Sequence, residues 1–331
     1  MVAGALAAVT VGGVVHADAA QPTDYRSEVV AITPAVPGLS ARIVGGDSFI
    51  ELTVTGDHEV IVLGYADEPY LRFAPDGTVS ENVRSPAHFF NESRYATVSL
   101  PPEADASAAP DWHVIGRGGS WAWHDHRTHW MADSPPLGVR VGDQIMDDVV
   151  PLLVDGAEVS VSVVSVWEPA PSPWPSVVAA LVAAGAAFAV VRGTRDRRWV
   201  VVVTVTVTAV CAAGVGIWQT WSLPSETGPP LSHWVLPLTA VAAAALAAAW
   251  RHNPFMARAA VAVAATQLVV WSIVRRSVLD HAILPTSAPF WLDRLVTAAV
   301  FGVAAVVLVD AVVAVVRTPG LFRATSARAP G

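Results

Sequence analysis

The stretch Trp199-Val-Val-Val-Val-Thr-Val-Thr-Val-Thr-Ala-Val-Cys-Ala-Ala-Gly-Val-Gly-Ile217 contains no charged side chain. Its 19 residues are close to the roughly 20 that an α-helix needs to cross the hydrocarbon core of a bilayer. The stretch is too long for a strand, and it lacks the polar stripe that a surface helix carries. It therefore predicts a transmembrane helix and places the second half of the chain in a membrane.

Four similar runs, rich in Ala, Val and Leu, accompany it. The composition agrees, because 53% of the 331 residues are hydrophobic and only 15% are charged, which is too apolar for an ordinary soluble protein. We therefore predict a membrane domain of five spans over residues 174–316. The predicted spans are Trp174–Val191, Trp199–Ile217, Trp234–Trp250, Ala257–Val274 and Leu295–Val316.

Arginine alone sets the predicted orientation, because the chain contains no lysine. The loops after the first and third spans and the tail carry nine arginines, whereas the alternate loops carry three. Positively charged loops stay in the cytoplasm. We therefore expect a multi-pass protein of the cell membrane, with the lipid bilayer as a partner. The tail 317–331 is expected to be cytoplasmic, and the residues before Trp174 extracytoplasmic.

Residues 1–20 are typical of a secretory leader. Val2–Val15 is a short apolar stretch, and Ala17-Asp18-Ala19 fits a small-x-small cleavage site. No Arg or Lys precedes the apolar stretch. The segment is therefore expected to be a signal peptide or an uncleaved amino-terminal anchor, and both would deliver the following residues to the outside.

Charge separates the two halves of the chain. Residues 20–172 hold 22 acids and 8 arginines, whereas residues 173–331 hold 12 arginines and 5 acids. An acidic exterior argues against nucleic acid as a partner, because phosphate contacts need basic groups, and it favours cations. The single cysteine, Cys211, lies in the second predicted span. The outer domain must therefore be stabilised by its core rather than by disulfides.

Residues 21–168 carry strand-like alternation of apolar and polar residues, separated by turn residues. This spacing predicts an all-β extracytoplasmic domain, an immunoglobulin-like sandwich, followed by the α-helical membrane domain. Residues 169–173 form a proline-rich linker, which is stiff. The predicted strands include Phe49–Thr55, Glu59–Gly64, a hairpin of Tyr70–Phe73 with Thr78–Glu81, and a hairpin of Val149–Val154 with Glu158–Trp167.

Residues Ser120–Met131 read Ser-Trp-Ala-Trp-His-Asp-His-Arg-Thr-His-Trp-Met. If Trp121–His126 is extended, His124 and His126 point to one face, about 6–7 Å apart. His129 follows a short bend and supplies a third imidazole. Three imidazoles with an open position suit zinc or copper(II), so we predict a metal site at His124, His126 and His129, with copper favoured and zinc as the alternative.

Other side chains are secondary candidates for this site. Met131 and Trp123 would shift the preference towards copper(I), a soft ion that accepts thioether and aromatic neighbours. Asp125 would orient a ligand imidazole by accepting its N–H. The remaining candidates are His88 and His113 in the outer domain and His281 in the predicted outer loop Ser277–Phe290, where a lone histidine is also compatible with simple solvation.

The same segment has a second interpretation, as a structural Trp/His cluster. In that case each imidazole binds a backbone carbonyl, and Asp125 forms a surface ion pair with Arg127. Exposed Trp and Arg anchor many interfaces, so the domain could instead be an interaction module for another envelope protein or the cell wall. An enzyme such as a tri-histidine zinc hydrolase is the least favoured interpretation, because no nucleophile motif or positioned general base is present in the sequence.

Three stretches resemble a family of actinobacterial multi-pass membrane proteins: Glu68-Pro-Tyr-Leu-Arg72, Ser120–Met131 with its Trp-His-Asp-His-Arg-x-His-Trp motif, and Leu284–Arg294. The resemblance covers nearly the whole chain. It implies a leader, an outer β domain with this motif and about five spans, but no activity. The layout is also similar to that of bacterial copper-resistance proteins, in which a small β-sandwich binds copper beside a helical membrane partner. This chain lacks the amino-terminal histidine expected in those sandwiches after signal cleavage.

Overall fold

The computed structural model describes residues 19–95, 98–132, 134–193, 197–228 and 230–316. Residues 1–18 of the predicted leader and the whole predicted tail 317–331 lie outside the described residues. Within them, a β domain precedes five long helices, which confirms the predicted fold class.

Among its described residues, the β domain contains ten strands and one short helix, α1 (Pro86–Phe90). Turns with positive φ at Gly77 and at Asp155-Gly156 close two of the predicted hairpins. The strands are β1 (Tyr25–Thr33), β2 (Leu39–Val44), β3 (Phe49–Val54), β4 (Val60–Leu63), β5 (Pro69–Phe73), β6 (Thr78–Asn82), β7 (Trp112–Arg117), β8 (Ser120–Trp123), β9 (Gln144–Val154) and β10 (Ala157–Trp167).

Two antiparallel sheets share one apolar core. The larger sheet has the order β1-β10-β9-β4-β5-β6-β7 and the smaller one β2-β3-β8. Ile50 and Leu52 of the smaller sheet pack with Val62, Phe73 and Leu152 of the larger one, and all five are buried. The domain is therefore a β-sandwich, and β10, β9 and β4 lie side by side as the G, F and C strands of immunoglobulin domains do.

The five predicted spans are present as helices long and apolar enough to cross a membrane. Each is longer than the run that predicted it, and α4 is shifted, because it begins two residues earlier and ends one residue earlier than predicted. The helices are α2 (Trp174–Gly193), α3 (Arg197–Trp221), α4 (Ser232–Ala249), α5 (Pro254–Val274) and α6 (Phe290–Val316).

Small residues allow these helices to pack closely. A Cβ on Gly302 of α6 would overlap the carbonyl of Ala180 in α2, and a Cβ on Gly216 of α3 would overlap the carbonyl of His233 in α4. Close backbone approach of this kind is the usual way in which membrane helices gain packing energy. The bundle is therefore a packed unit.

The β domain docks directly on two loops of the bundle. Thr23 and Ile283 exchange two backbone hydrogen bonds of 3.0 and 2.8 Å, and the Glu226 carboxylate accepts from the backbone N–H of Ala122 at 3.1 Å. Leu223 packs with Phe49 in a small apolar cluster. The domain thus sits on the α3–α4 and α5–α6 loops, at the end of the bundle opposite the α2–α3 and α4–α5 loops.

Candidate metal centre

The histidine segment lies in a loop directly after β8, and not on an extended strand as predicted. Strand β8 pairs with β3 through Trp123 opposite Ile50 and ends there. The chain then turns, because Asp125 accepts at its backbone carbonyl from the N–H and the hydroxyl of Thr128, at 3.0 and 2.7 Å. The predicted alternation of faces therefore does not apply to His124 and His126.

A buried ion pair holds this turn. Arg127 donates to both carboxylate oxygens of Asp125, at 2.9 and 2.8 Å, and Trp123 Nε1 donates to the same carboxylate at 3.1 Å. Arg127 also donates to the Leu63 carbonyl at 3.0 Å and lies over the Tyr65 ring. Burial raises the pKa of Asp125, but the charge and hydrogen bonds of Arg127 lower it further, so the pKa lies below its usual range.

Asp125 is therefore a buried structural anion. It is fully buried, so the sequence interpretation of a surface ion pair is wrong. Its hydrogen-bond partners are Trp123 and Arg127, whereas the orienting role predicted for it is taken by backbone carbonyls.

Each of the three imidazoles is fixed by a carbonyl at one ring nitrogen. A carbonyl oxygen only accepts, so the bonded nitrogen carries the hydrogen and the other nitrogen is left to bind a ligand. One nitrogen from each of the three residues lies within 4.8 Å of the other two. The carbonyl contacts are His124 Nδ1 to Ser48 at 2.8 Å, His126 Nε2 to Ser93 at 2.8 Å, and His129 Nδ1 to Trp130 at 3.0 Å.

The Nε2 atoms of His124 and His129 face each other at 2.9 Å. Burial, followed by the neighbouring His129 and His126, lowers the pKa of His124 well below its usual value. Burial and the charge of Arg94 lower the pKa of His129 to about 3. Both rings are therefore neutral near pH 7, and two lone pairs point at one another, an arrangement that a cation between or beside them would stabilise.

The third imidazole is held by Tyr65. The Tyr65 ring stacks on His126 with centroids 5.7 Å apart, and its hydroxyl accepts from the His126 backbone N–H at 3.0 Å. Burial lowers the pKa of His126. All three rings are thus neutral, oriented and within reach of one ion, which is the state in which imidazole ligates metals.

A second ion pair lies beside the cluster. Arg94 donates to both oxygens of the buried Asp47, at 3.0 and 2.6 Å, and Thr23 donates to the same carboxylate at 3.2 Å. This pair joins the β2–β3 turn, which carries Ser48, to the loop that carries Ser93. It therefore fixes two of the segments that surround the histidines.

A cavity of about 330 Å³ opens against His124. Its walls come from both domains and include Ser48 and Arg94 of the β domain and His281 of the α5–α6 loop. His281 Nδ1 donates to the Ser277 carbonyl at 3.0 Å, which leaves Nε2 as the ring's second nitrogen. His281 thus lines the cavity next to the cluster, while the compact group itself comprises only the other three residues among those described.

The other predicted residues take separate positions. Trp123 is buried and bound to Asp125, and Met131 follows the cluster in a half-buried position. His113 lies on β7, largely exposed, 3.5 Å from Asp111. His88 contacts Glu81 at 3.0 Å.

The partners that orient the rings could not be predicted from the sequence. The carbonyls of Ser48 and Ser93 are 76 and 33 residues away from the imidazoles they bind. Any residue type offers a carbonyl, so no sequence signal could have indicated these contacts. Tyr65 and Arg94 likewise come from distant loops with no motif around them.

No protein-family model matches this chain, and neither a curated protein nor a solved structure is significantly similar to it.

Proposed function

We propose that the protein is a membrane-anchored metal-binding protein that holds one copper ion at His124, His126 and His129 on the extracytoplasmic side. The observation that carries this proposal is the pair of Nε2 atoms 2.9 Å apart, each on a ring whose Nδ1 is bound to a carbonyl. When both rings are neutral, both Nε2 atoms are acceptors, so neither can donate a hydrogen bond to the other. A metal ion would supply the missing positive charge.

The donor set favours a divalent borderline metal. Three neutral imidazoles with an open position suit copper(II) and zinc, and copper binds more tightly at a given nitrogen site. The support that Met131 and Trp123 would give to copper(I) is reduced, because the indole N–H of Trp123 is engaged with Asp125. Copper is therefore proposed as the bound ion, with zinc as the alternative.

The cavity at the domain boundary supplies a route for the ion. It reaches His124 from the junction of the β domain and the membrane loops, and His281 stands on its wall. An incoming ion would meet His281 before the buried cluster. Handling of copper at the membrane surface, by uptake, retention or transfer, is the role that this layout supports.

The proposed orientation rests on the arginine distribution. The β domain sits at the end of the bundle opposite Arg192 and Arg251, as the positive-inside rule requires for an outer domain. The amino-terminal leader, the cytoplasmic tail and membership of the actinobacterial family are proposed on the sequence alone.

The interaction module finds less support. Trp123 is buried, and Trp121 and Trp130 are only partly exposed. A recognition edge would present its aromatic rings to solvent. Trp121 and Trp123 instead pack in the core of the sandwich, and Trp130 Nε1 donates to the Ser134 carbonyl at 2.8 Å.

The test is metal analysis of the full chain in detergent. We expect one copper per chain after loading and dialysis, and loss of that copper in a His124/His126/His129→Ala triple variant. His113→Ala is the matched control, because it removes an exposed imidazole outside the cluster. Equal copper content in the triple variant and the wild type, with both folded by circular dichroism, would refute the proposal. If the chain loads zinc but not copper, zinc is the bound metal, and the same three histidines remain its proposed ligands.

A further inference from the structure

A second cavity lies at the arginine-rich end of the bundle, far from the histidines. It occupies about 730 Å³ between α3, α4, α5 and α6. Among the described residues, its lining contains three arginines, Arg198, Arg251 and Arg258, and one carboxylate, Asp310. These groups come from three helix ends and the α4–α5 loop, so the tertiary fold, not one basic run, brings them together.

The charge in this cavity is unbalanced. Among the described residues that line it, three guanidinium groups against one carboxylate leave an excess of two positive charges. Arg251 Nε donates to His252 Nε2 at 3.0 Å. Guanidinium groups beside apolar helices bind phosphate oxygens well, because their donors match two oxygens at once. The cavity thus favours an anion.

The cavity also has an apolar part. Val201, Ala247 and Val261 line it and are themselves almost fully buried, while Trp199 stands on its wall, about half exposed. A volume of this size accommodates a head group with the start of its acyl chains and far exceeds a single phosphate ion. The combination of a basic mouth and an apolar wall is typical of sites for anionic lipid.

The positive-inside rule accounts for arginines in these loops but not for their convergence on one cavity. Arg192 provides the comparison within the same molecule. It lies at the same end of the bundle, but its guanidinium stacks over Phe188 of its own helix, 5.3 Å from the ring centroid. An arginine at this end of the bundle can therefore lie outside the cavity, whereas Arg198, Arg251 and Arg258 all line it.

We infer that this cavity binds one phospholipid with an anionic phosphodiester head group, of the phosphatidylglycerol class. The head-group phosphate contacts the arginines, and the acyl chains follow the Val/Ala wall. This site is independent of the metal centre, because it lies at the opposite end of the bundle.

The test uses the full chain in detergent, with phosphatidylglycerol, phosphatidylcholine or inorganic phosphate added. Bound lipid is counted by native mass spectrometry, and the melting temperature is followed as a function of lipid concentration. We expect one tightly retained phosphatidylglycerol and a rise in melting temperature that neither phosphatidylcholine nor inorganic phosphate produces.

The decisive variant is Arg198→Gln/Arg251→Gln, in which the apparent Kd for phosphatidylglycerol should rise about tenfold or more. Arg192→Gln also removes a guanidinium group at this end of the bundle, and this variant should bind phosphatidylglycerol as tightly as the wild type does. Arg198→Lys/Arg251→Lys, which keeps the charge, should retain most of the binding. Unchanged affinity in the double Gln variant, equal affinity for phosphatidylcholine, or full stabilisation by inorganic phosphate would each overturn the inference.

Discussion

His124 and His129 present their Nε2 atoms to each other at 2.9 Å, while the Nδ1 atom of each ring donates to a backbone carbonyl. The two rings therefore lack a hydrogen to share when both are neutral. This relationship sets the first prediction, because a metal ion that binds there should stabilise the folded chain.

Copper should raise the stability of the wild-type β domain by mass action. At a free copper concentration of 100 times Kd, the expected gain in the free energy of unfolding is about 2.7 kcal/mol. The measurement is thermal unfolding with and without copper, followed by addition of a chelator, which should reverse the shift. The same shift in the His124/His126/His129→Ala variant would contradict a role for the cluster.

Removal of the Asp125 charge should destabilise the β domain strongly. Asp125→Asn leaves the largely buried Arg127 without its counter-ion, and breaking a buried pair from one side costs about 3–5 kcal/mol. Hydrogen exchange of the amides in β3 and β8 measures this cost. Arg42→Gln is the control, since it removes an exposed partner of Glu51 and should change stability by only about 0.5 kcal/mol.

His88 should make stability depend on pH. Its hydrogen bond to Glu81 raises the pKa of His88 above the value in the unfolded chain, although burial opposes the shift. The stabilisation is thus fully present below about pH 6.5, the unfolded pKa, and is lost as pH rises through the folded pKa. The measurement is the difference in unfolding free energy between wild type and His88→Gln at pH 5.5 and pH 8.5. A difference that grows towards high pH would contradict the assignment.

Leu223 should couple the two domains. It lies in the α3–α4 loop, two residues after α3 ends, and packs with Phe49 and Ala122 of the β domain. Leu223→Ala should lower the free energy of unfolding by about 2–3 kcal/mol. This is the lower end of the range for a buried leucine, because the apolar cluster is small. Hydrogen exchange should increase at Thr23 and Ile283, where the domains share backbone hydrogen bonds. Increased exchange confined to α3, with these two amides unchanged, would show that the apolar contact does not hold the domains together.

Replacement of His281 should affect copper loading less than replacement of a cluster residue. His281 lines the cavity against His124 but does not belong to the compact group. We expect His281→Ala to keep one copper per chain with slower loading. His124→Ala should weaken copper binding by about 100-fold or more, because loss of even a partner that only orients a ligand costs about 10–100-fold. Stopped-flow mixing with copper measures both effects. Loss of copper in His281→Ala would instead make His281 a ligand.

The helices, the strands and the three candidate ligands could be predicted from the amino-acid sequence. Runs of about 20 apolar residues predict membrane helices, and alternation of apolar and polar residues predicts strands such as β3. Both patterns can be recognised in the sequence because they depend only on which neighbouring residues of one element are buried. The spacing of His124, His126 and His129 within six residues kept them close together in any conformation.

The orientation of the three imidazoles depends on contacts between distant parts of the chain. Strand β8 ends at Trp123 because Asp125 pairs with Arg127 in a turn, and that pair depends on Leu63 and Tyr65 from another strand and loop. The carbonyls of Ser48 and Ser93 select the nitrogen that each ring leaves for a metal. Such contacts join residues far apart in the chain, and a backbone carbonyl has no sequence signature, so local pattern could not specify them.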